Sequence, residues 1–429
     1  MSTAIGLTSL FFGVIGAMTA WAAVMPKHGS LDKLSMWYLG FSLTGSELAA
    51  FLATGGVVLG AVAWALGAGE QRLGQVALSL HALAVAGLLL AIWRSRSAFA
   101  VLDRGLRAAL GDDYEQRIAP DRQALIRRCL RPAAWWKPFS YRLPDVEWHR
   151  HIDYVAGAHE AHKQQRLDVL VGRHAPPGLR PVLVNIHGGG WKIGDKGTQA
   201  MPLLMHMASC GWVVVDADYR LSPGARMPDH IVDVKRAIAW TREHAAEYGG
   251  DPNFIAITGG SAGGHLVALA ALTPHQKQWQ PGFEQADTSV QVALPFYGKY
   301  DMLEQAGPDA TFAQYLAEGV MPGPRAQHAA LWKAMDPATQ AADPGAPRRP
   351  PFLVVHGQYD VLIPLSEARW FVQRLRDTSP AAELVYVEMP YAQHGFDVPH
   401  SLRAQLTVEA LQRYLEFQYS RWRAAHGAA

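Results

Sequence analysis

A chain of 429 residues with 49% hydrophobic and only 18% charged residues is long for one domain, and its apolar content suits a large core, a membrane segment, or both. Its net charge of +2, with no Lys/Arg run interleaved by aromatics, sets nucleic acid aside as a partner. The two cysteines, Cys129 and Cys210, form no CxxC pair and no Cys/His cluster, so neither a disulfide framework nor a zinc site is encoded; reduced thiols on a cytosol-facing domain fit.

Three uninterrupted apolar stretches come first: Ala4–Val24, Leu48–Ala68 and Leu73–Trp93. Each has the roughly 20 residues a helix needs to cross the hydrocarbon, and none contains Asp, Glu, Lys or Arg. They predict a bundle of about three transmembrane helices within residues 1–96. Ala20-Trp21-Ala22 would serve as a signal-peptidase site, but no Lys or Arg precedes the first run and two further runs follow it, which favours a retained anchor. Lys27 and Lys33 follow the first span, Arg72 alone the second, and Arg94, Arg96, Arg104 and Arg107 the third. That alternation places the N-terminus outside and the large domain in the cytoplasm. Trp37, Tyr38 and Phe41 in the first connection, and Trp93, suit the headgroup level. Gly56 and Gly60 form a GxxxG step that permits close helix contact, although small residues are common in such spans. Gln75 and His81 read as an interhelical hydrogen-bonding pair, with no transport role.

Phe99, Leu102, Leu106 and Leu110 recur at helical spacing, as on a helix lying at the membrane surface or packed on a domain. Residues 97–145 are read as that helix followed by a linker and cap, with Trp135, Trp136 and Phe139 among prolines and arginines. From 146 to 429 the pattern alternates. Strands are predicted at Arg166–Val171, Val182–Ile186, Gly211–Ala217, Phe254–Thr258, Val290–Phe296, Pro351–His356 and Leu384–Val387, and helices at Ile231–Tyr248, Ser366–Arg376 and Leu402–Trp422. Short buried strands between amphipathic helices indicate an α/β fold with a mainly parallel sheet, whose ligand sites lie at the carboxyl ends of strands.

The run ITGGSAGGHL, Ile257–Leu266, falls at such an end. It lacks the Lys of a phosphate-binding GxxxxGK loop, and its glycines have the wrong spacing for GxGxxG. It does contain G-x-S-x-G over Gly259–Gly263, the strand-to-helix turn that presents a strained serine at the rim of a sheet. A serine hydroxyl needs a base, and the base an orienting acid. Asp360 follows the strand ending at His356, and His394 follows the next helix and strand, giving the order Ser261, Asp360, His394. Singly, each has a plainer reading as a helix start, a turn cap or a loop histidine; three strand ends in this order reverse that. The strand Val182–Ile186 ends in His187-Gly188-Gly189-Gly190-Trp191, whose bare backbone, with the amide of Ala262, is expected to form an oxyanion hole. Gly189 and Gly190 are placed ahead of Gly188 there, with His187 anchoring the loop and Trp191 packing. Such donors contribute roughly 3 to 4 kcal/mol each in comparable sites.

These residues resemble the hormone-sensitive-lipase group of α/β-hydrolases. The likeness rests on HGGGW at 187–191, DYRLSP at 218–223, GGSAGG at 259–264, HGQYDVLIP at 356–364 and QHGF at 393–396, and spans roughly residues 146–415. It implies an α/β-hydrolase domain and a serine carboxylesterase that works through an acyl-enzyme, needs no metal or organic cofactor, and takes a small-molecule or lipid ester. It also implies a cap built from 99–143 and an insertion near 302–349. One departure stands out: the group has Asp or Thr before Ser-Ala-Gly-Gly, and this chain has Gly260. The N-terminal part is similar to that of membrane-anchored bacterial esterases, which implies the bacterial inner membrane and contact with membrane lipid; isoprenylcysteine methylesterases are a weaker likeness. The same triad would also serve an amidase or deacetylase, and a silent hydrolase fold would serve as a membrane scaffold. No motif speaks to oligomeric state.

Overall fold

A computed structural model describes residues 2–25, 33–155, 164–343, 345, 349–378 and 383–427. At the N-terminal end lie α1 (Ser2–Val24), α2 (Lys33–Glu47), α3 (Ala49–Ala65) and α4 (Arg72–Ser95). The first span and a stretch from Arg72 to Leu110 are each long and apolar enough to cross a membrane. The pair α2–α3, bent by 86° at Leu48, makes a third if it is taken as one span. The connection read as an aromatic-rich link is therefore largely a helix. The residues that break its apolar pattern, Ser35, Ser42 and Ser46, recur at helical spacing and are buried along one side, with Glu47 closing the last turn.

Small residues decide how these helices meet. Gly6 faces Leu73, Gly13 faces Leu80, Gly16 faces Ala84 and Gly87 faces Ala20, so α1 and α4 run parallel. At their shared end Arg94 Nη1 donates to the Val24 carbonyl at 2.6 Å. Gly56 faces Val85 and Gly60 faces His81, so α3 runs antiparallel to α4 and both glycines of the GxxxG step sit at that contact.

After α5 (Ala98–Leu110), the chain builds an eight-stranded sheet: β1 (Val146–Asp153), β2 (Arg166–Gly172), β3 (Arg180–Ile186), β4 (Val213–Ala217), β5 (Gly250–Gly260), β6 (Val292–Phe296), β7 (Phe352–Gly357) and β8 (Leu384–Met389). Their order is β1-β2-β4-β3-β5-β6-β7-β8. Among the described residues, β1 with β2 and β2 with β4 pair antiparallel and the other neighbours pair parallel. The central strands are buried on both faces, which is why they read as unbroken apolar runs. β1, an edge strand rich in His and Arg, gave no such run.

Helices cover both faces. One face carries α7 (Asp229–His244), α8 (Ala262–Leu272) and α12 (Leu365–Thr378), together with the short helices α9 (Ala310–Gly319), α10 (Ala329–Ala334) and α11 (Pro337–Ala341). The other carries α5, α6 (Met201–Ser209) and α13 (Leu402–His426). α5 buries Leu102, Leu106 and Leu110 there, and Gly105 lets it approach Val387 of β8. Residues 119–131 lie along α13. Arg122 forms a two-pronged pair with Glu416 at 2.7 and 3.0 Å, and the N–H of Cys129 donates to Glu409 at 2.8 Å. Cys129 and Cys210 are both free and buried.

Candidate active site

β5 turns into α8 through Ser261, whose φ of +59° and ψ of −121° belong to a region that residues with a Cβ rarely enter. The turn is possible because its neighbours lack side chains. A Cβ on Gly259 or Gly263 would run into the Ile186 carbonyl, and one on Gly264 would come within 2.6 Å of the Phe296 carbonyl. The Ser261 N–H is held by the Phe296 carbonyl at 3.0 Å. The strained turn is thus fixed by the strands on either side.

The departure at Gly260 has a physical reason. A Cβ there would lie 2.7 Å from Tyr297 Oη and 2.8 Å from its ring. Tyr297, which follows β6, donates its hydroxyl to Asp397 and lays its ring 4.7 Å from that of His394. A tyrosine from the turn after β6 fills the space that a side chain at Gly260 would need. Nothing in the linear sequence joins these positions.

Asp360 and His394 are brought together directly: Asp360 Oδ2 lies 2.7 Å from His394 Nδ1, which fixes the imidazole proton on that nitrogen and leaves Nε2 as a base. The second carboxylate oxygen accepts the N–H groups of Leu362 and Ile363, both at 2.9 Å. Burial alone would raise the Asp360 carboxyl, but the charge and hydrogen bond of His394, with His356 beside it, outweigh burial and hold it below its ordinary value. Gln393, quoted in the sequence motif but given no role there, accepts both the Val361 N–H at 2.9 Å and the His394 N–H at 3.0 Å through Oε1. One side chain therefore ties together the residues next to the acid and the base.

The glycine loop after β3 packs against the elbow, where a Cβ on Gly188 would lie 3.0 Å from Ser261 Cβ. The Gly188 N–H donates to Gln199 Oε1 at 2.8 Å, which takes it out of the donor set expected for it. Gly189 and Gly190, with φ of +112° and +59°, adopt backbone that favours glycine, and no partner is described for their N–H groups among the described residues. Ala262 opens α8, so its N–H has no partner within the helix. His187 Nδ1 lies 2.7 Å from the Gly188 carbonyl and its ring stacks on Tyr219. Burial pushes its imidazole down to about 4, so it is neutral and anchors the loop. Trp191 is buried edge-on to His265. From α9, Tyr315 donates to the Gly190 carbonyl at 2.7 Å, and Lys192 lies over its ring at 3.8 Å, so residues of the 302–349 segment touch the loop.

Among the described residues no group of His, Cys, Asp and Glu side chains is arranged to hold a metal ion. The arrangement sets a strained serine beside the glycine loop, and pairs Asp360 with His394 on the two loops that follow β7 and β8.

A family model described as BD-FAE matches residues 167–375. The chain is 38% identical over 420 residues to the probable carboxylic ester hydrolase LipM of Mycobacterium tuberculosis, covering 95% of this chain and 93% of LipM. It is also 38% identical over 339 residues to esterase LipQ of the same organism, covering 77% of each. Among solved structures, esterase B of Lactobacillus rhamnosis shares the fold, with a TM-score of 0.54 at 20% identity over 78% of this chain and 99% of that one. Likeness running along almost the whole of LipM, on a sheet of this order and direction, makes the chain a member of the hormone-sensitive-lipase family of α/β-hydrolases, a carboxylic ester hydrolase.

Proposed function

We propose that the chain is a membrane-anchored serine carboxylesterase that cleaves hydrophobic acyl or acetyl esters through an acyl-enzyme. The observation that carries the reading is the 2.7 Å contact of Asp360 with His394 beside a serine held at φ +59° in a glycine elbow. In this reading His394 Nε2 removes the proton of Ser261 Oγ as Oγ bonds to the substrate carbonyl carbon. The oxyanion is met by the N–H groups of Gly189, Gly190 and Ala262. As the carbonyl re-forms, the alcohol leaves with the proton from His394; water then repeats the sequence and releases the acid.

The preference for apolar esters draws on position. The loops bearing Asp360 and His394 face the helical bundle, where Ile15, Thr19, Met36, Trp37, Phe41 and Leu52 line a mainly apolar groove of about 660 Å³. In the same reading residues 1–96 form the membrane part, 97–145 an interfacial helix, linker and cap, and 146–429 the catalytic domain, with a further cap insertion near 302–349. The charge alternation around the spans places the catalytic domain on the cytoplasmic side of a bacterial inner membrane.

The test uses detergent-solubilised full-length protein with a series of p-nitrophenyl esters and the matching anilides. Wild type is expected to turn over esters, with longer acyl chains preferred to acetate, and Ser261→Ala to lose at least about 10⁴-fold in kcat. Anilide turnover exceeding ester turnover would replace the esterase reading with an amidase. No turnover of either series by wild type would replace it with a scaffold.

A further inference from the structure

We propose that the helical bundle is a working part of the active site: α1, α2 and α4 hold the loops that carry Asp360 and His394, and the turnover number depends on that docking. The proposal rests on the triad reading and adds Ser42, Glu47 and Arg403 to it as positioning residues. Pro390, Tyr391 and Gln393 of the base loop, which runs from the end of β8 to His394, are each held from outside the sheet. Pro390 offers its carbonyl to Arg403 Nη1. Arg403 is only 1% exposed; its other nitrogens donate to Glu47 Oε1 of α2 at 2.9 Å and to Ser95 Oγ of α4 at 3.1 Å. Glu47 Oε2 accepts Ser401 Oγ at 2.7 Å, and Ser401 caps α13 by accepting the Ala404 N–H.

The next residue, Tyr391, sits at φ +57° with the Arg94 guanidinium 4.6 Å above its ring, and Arg94 is itself fixed to the end of α1 through Val24. Gln393, which joins the acid and base loops, donates Nε2 to Ser42 Oγ of α2 at 3.4 Å. On the acid side, Val361 packs with Ala22 of α1 and Tyr38 of α2. A tether would need only the covalent link from α4 to α5. Here the contacts fall on the chain neighbours of Asp360 and His394. A displacement of about 1 Å at a reacting group can cost about 100-fold in rate, so a buried carboxylate and guanidinium at this junction bear on kcat rather than on membrane attachment alone.

Full-length wild type, Ser42→Ala, Glu47→Gln and Glu47→Asp are compared in the same detergent. A fluorophosphonate counts the sites with a reactive serine, and p-nitrophenyl butyrate gives kcat per counted site and KM. Glu47→Gln is expected to lower kcat per site by about 10- to 100-fold with KM within about two-fold, Ser42→Ala by several-fold, and Glu47→Asp to recover part of the loss. The proposal is overturned if kcat per site stays within two-fold in both Glu47→Gln and Ser42→Ala, or if the lost activity is fully accounted for by fewer counted sites. Labelling of Ser261→Ala, or none of wild type, overturns the triad reading and this proposal together. Normal labelling with unchanged kcat overturns this proposal alone.

Discussion

At Gly260 the space beside the elbow is taken by Tyr297, from the turn after the neighbouring strand β6. Gly260→Ala is expected to destabilise by about 1 to 3 kcal/mol through overpacking and to lower kcat as well, because the ring it displaces lies against His394; thermal unfolding and steady-state kinetics read the two effects. Asp360→Asn keeps the shape but can leave the imidazole proton on the wrong nitrogen, for which a loss of about 10⁴-fold in kcat is expected with KM nearly unchanged. The sign of the pH dependence follows from the Asp360 carboxyl lying below its ordinary 3.8. Its contribution to stability is present above 3.8 and lost only as pH falls through the lower folded value. His187, pushed down to about 4 by burial, stays neutral only above that value, so its protonation falls in the same acid region as the loss of the Asp360 contribution.

Elements were legible in the sequence in proportion to their burial. β3, β5, β6 and β7 lie inside the sheet and announced themselves as apolar runs; Ser261 and Asp360 were read as candidates because each follows such a strand, and His394 because it follows the alternating edge strand β8. α2 was hidden by polar residues that look like a break until helical spacing puts them on one side. Gln393, Tyr297 and Glu47 could not be assigned, since their partners lie far off in the chain; 351 residues separate Gln393 from Ser42. The clamp of residues 119–131 on α13 is of the same long-range kind. Arg122→Met alone is expected to cost about 3 to 5 kcal/mol in urea unfolding by stranding Glu416, whereas Arg122→Met with Glu416→Leu should be close to neutral.

For the molecule as a whole, the parallel run of α1 and α4 brings both their carboxyl ends to the sheet, while α3 leads away from it. With α1, α3 and α4 as spans, the chain is expected to stay with the membrane through alkaline carbonate extraction. A reporter fused after Ala429 should be active only in the cytoplasm; activity on the outer side would reverse the topology.

The ion pair between Glu47 and Arg403 also has a consequence in time. The helices that grip the base loop are made first, whereas His394 and Arg403 leave the ribosome more than 300 residues later. Until then Glu47 has no counter-charge and Ser261 has no base. In the proposed reading a nascent chain carries its nucleophile yet stays inert, and hydrolysis begins only when α13 arrives and joins the two ends of the chain.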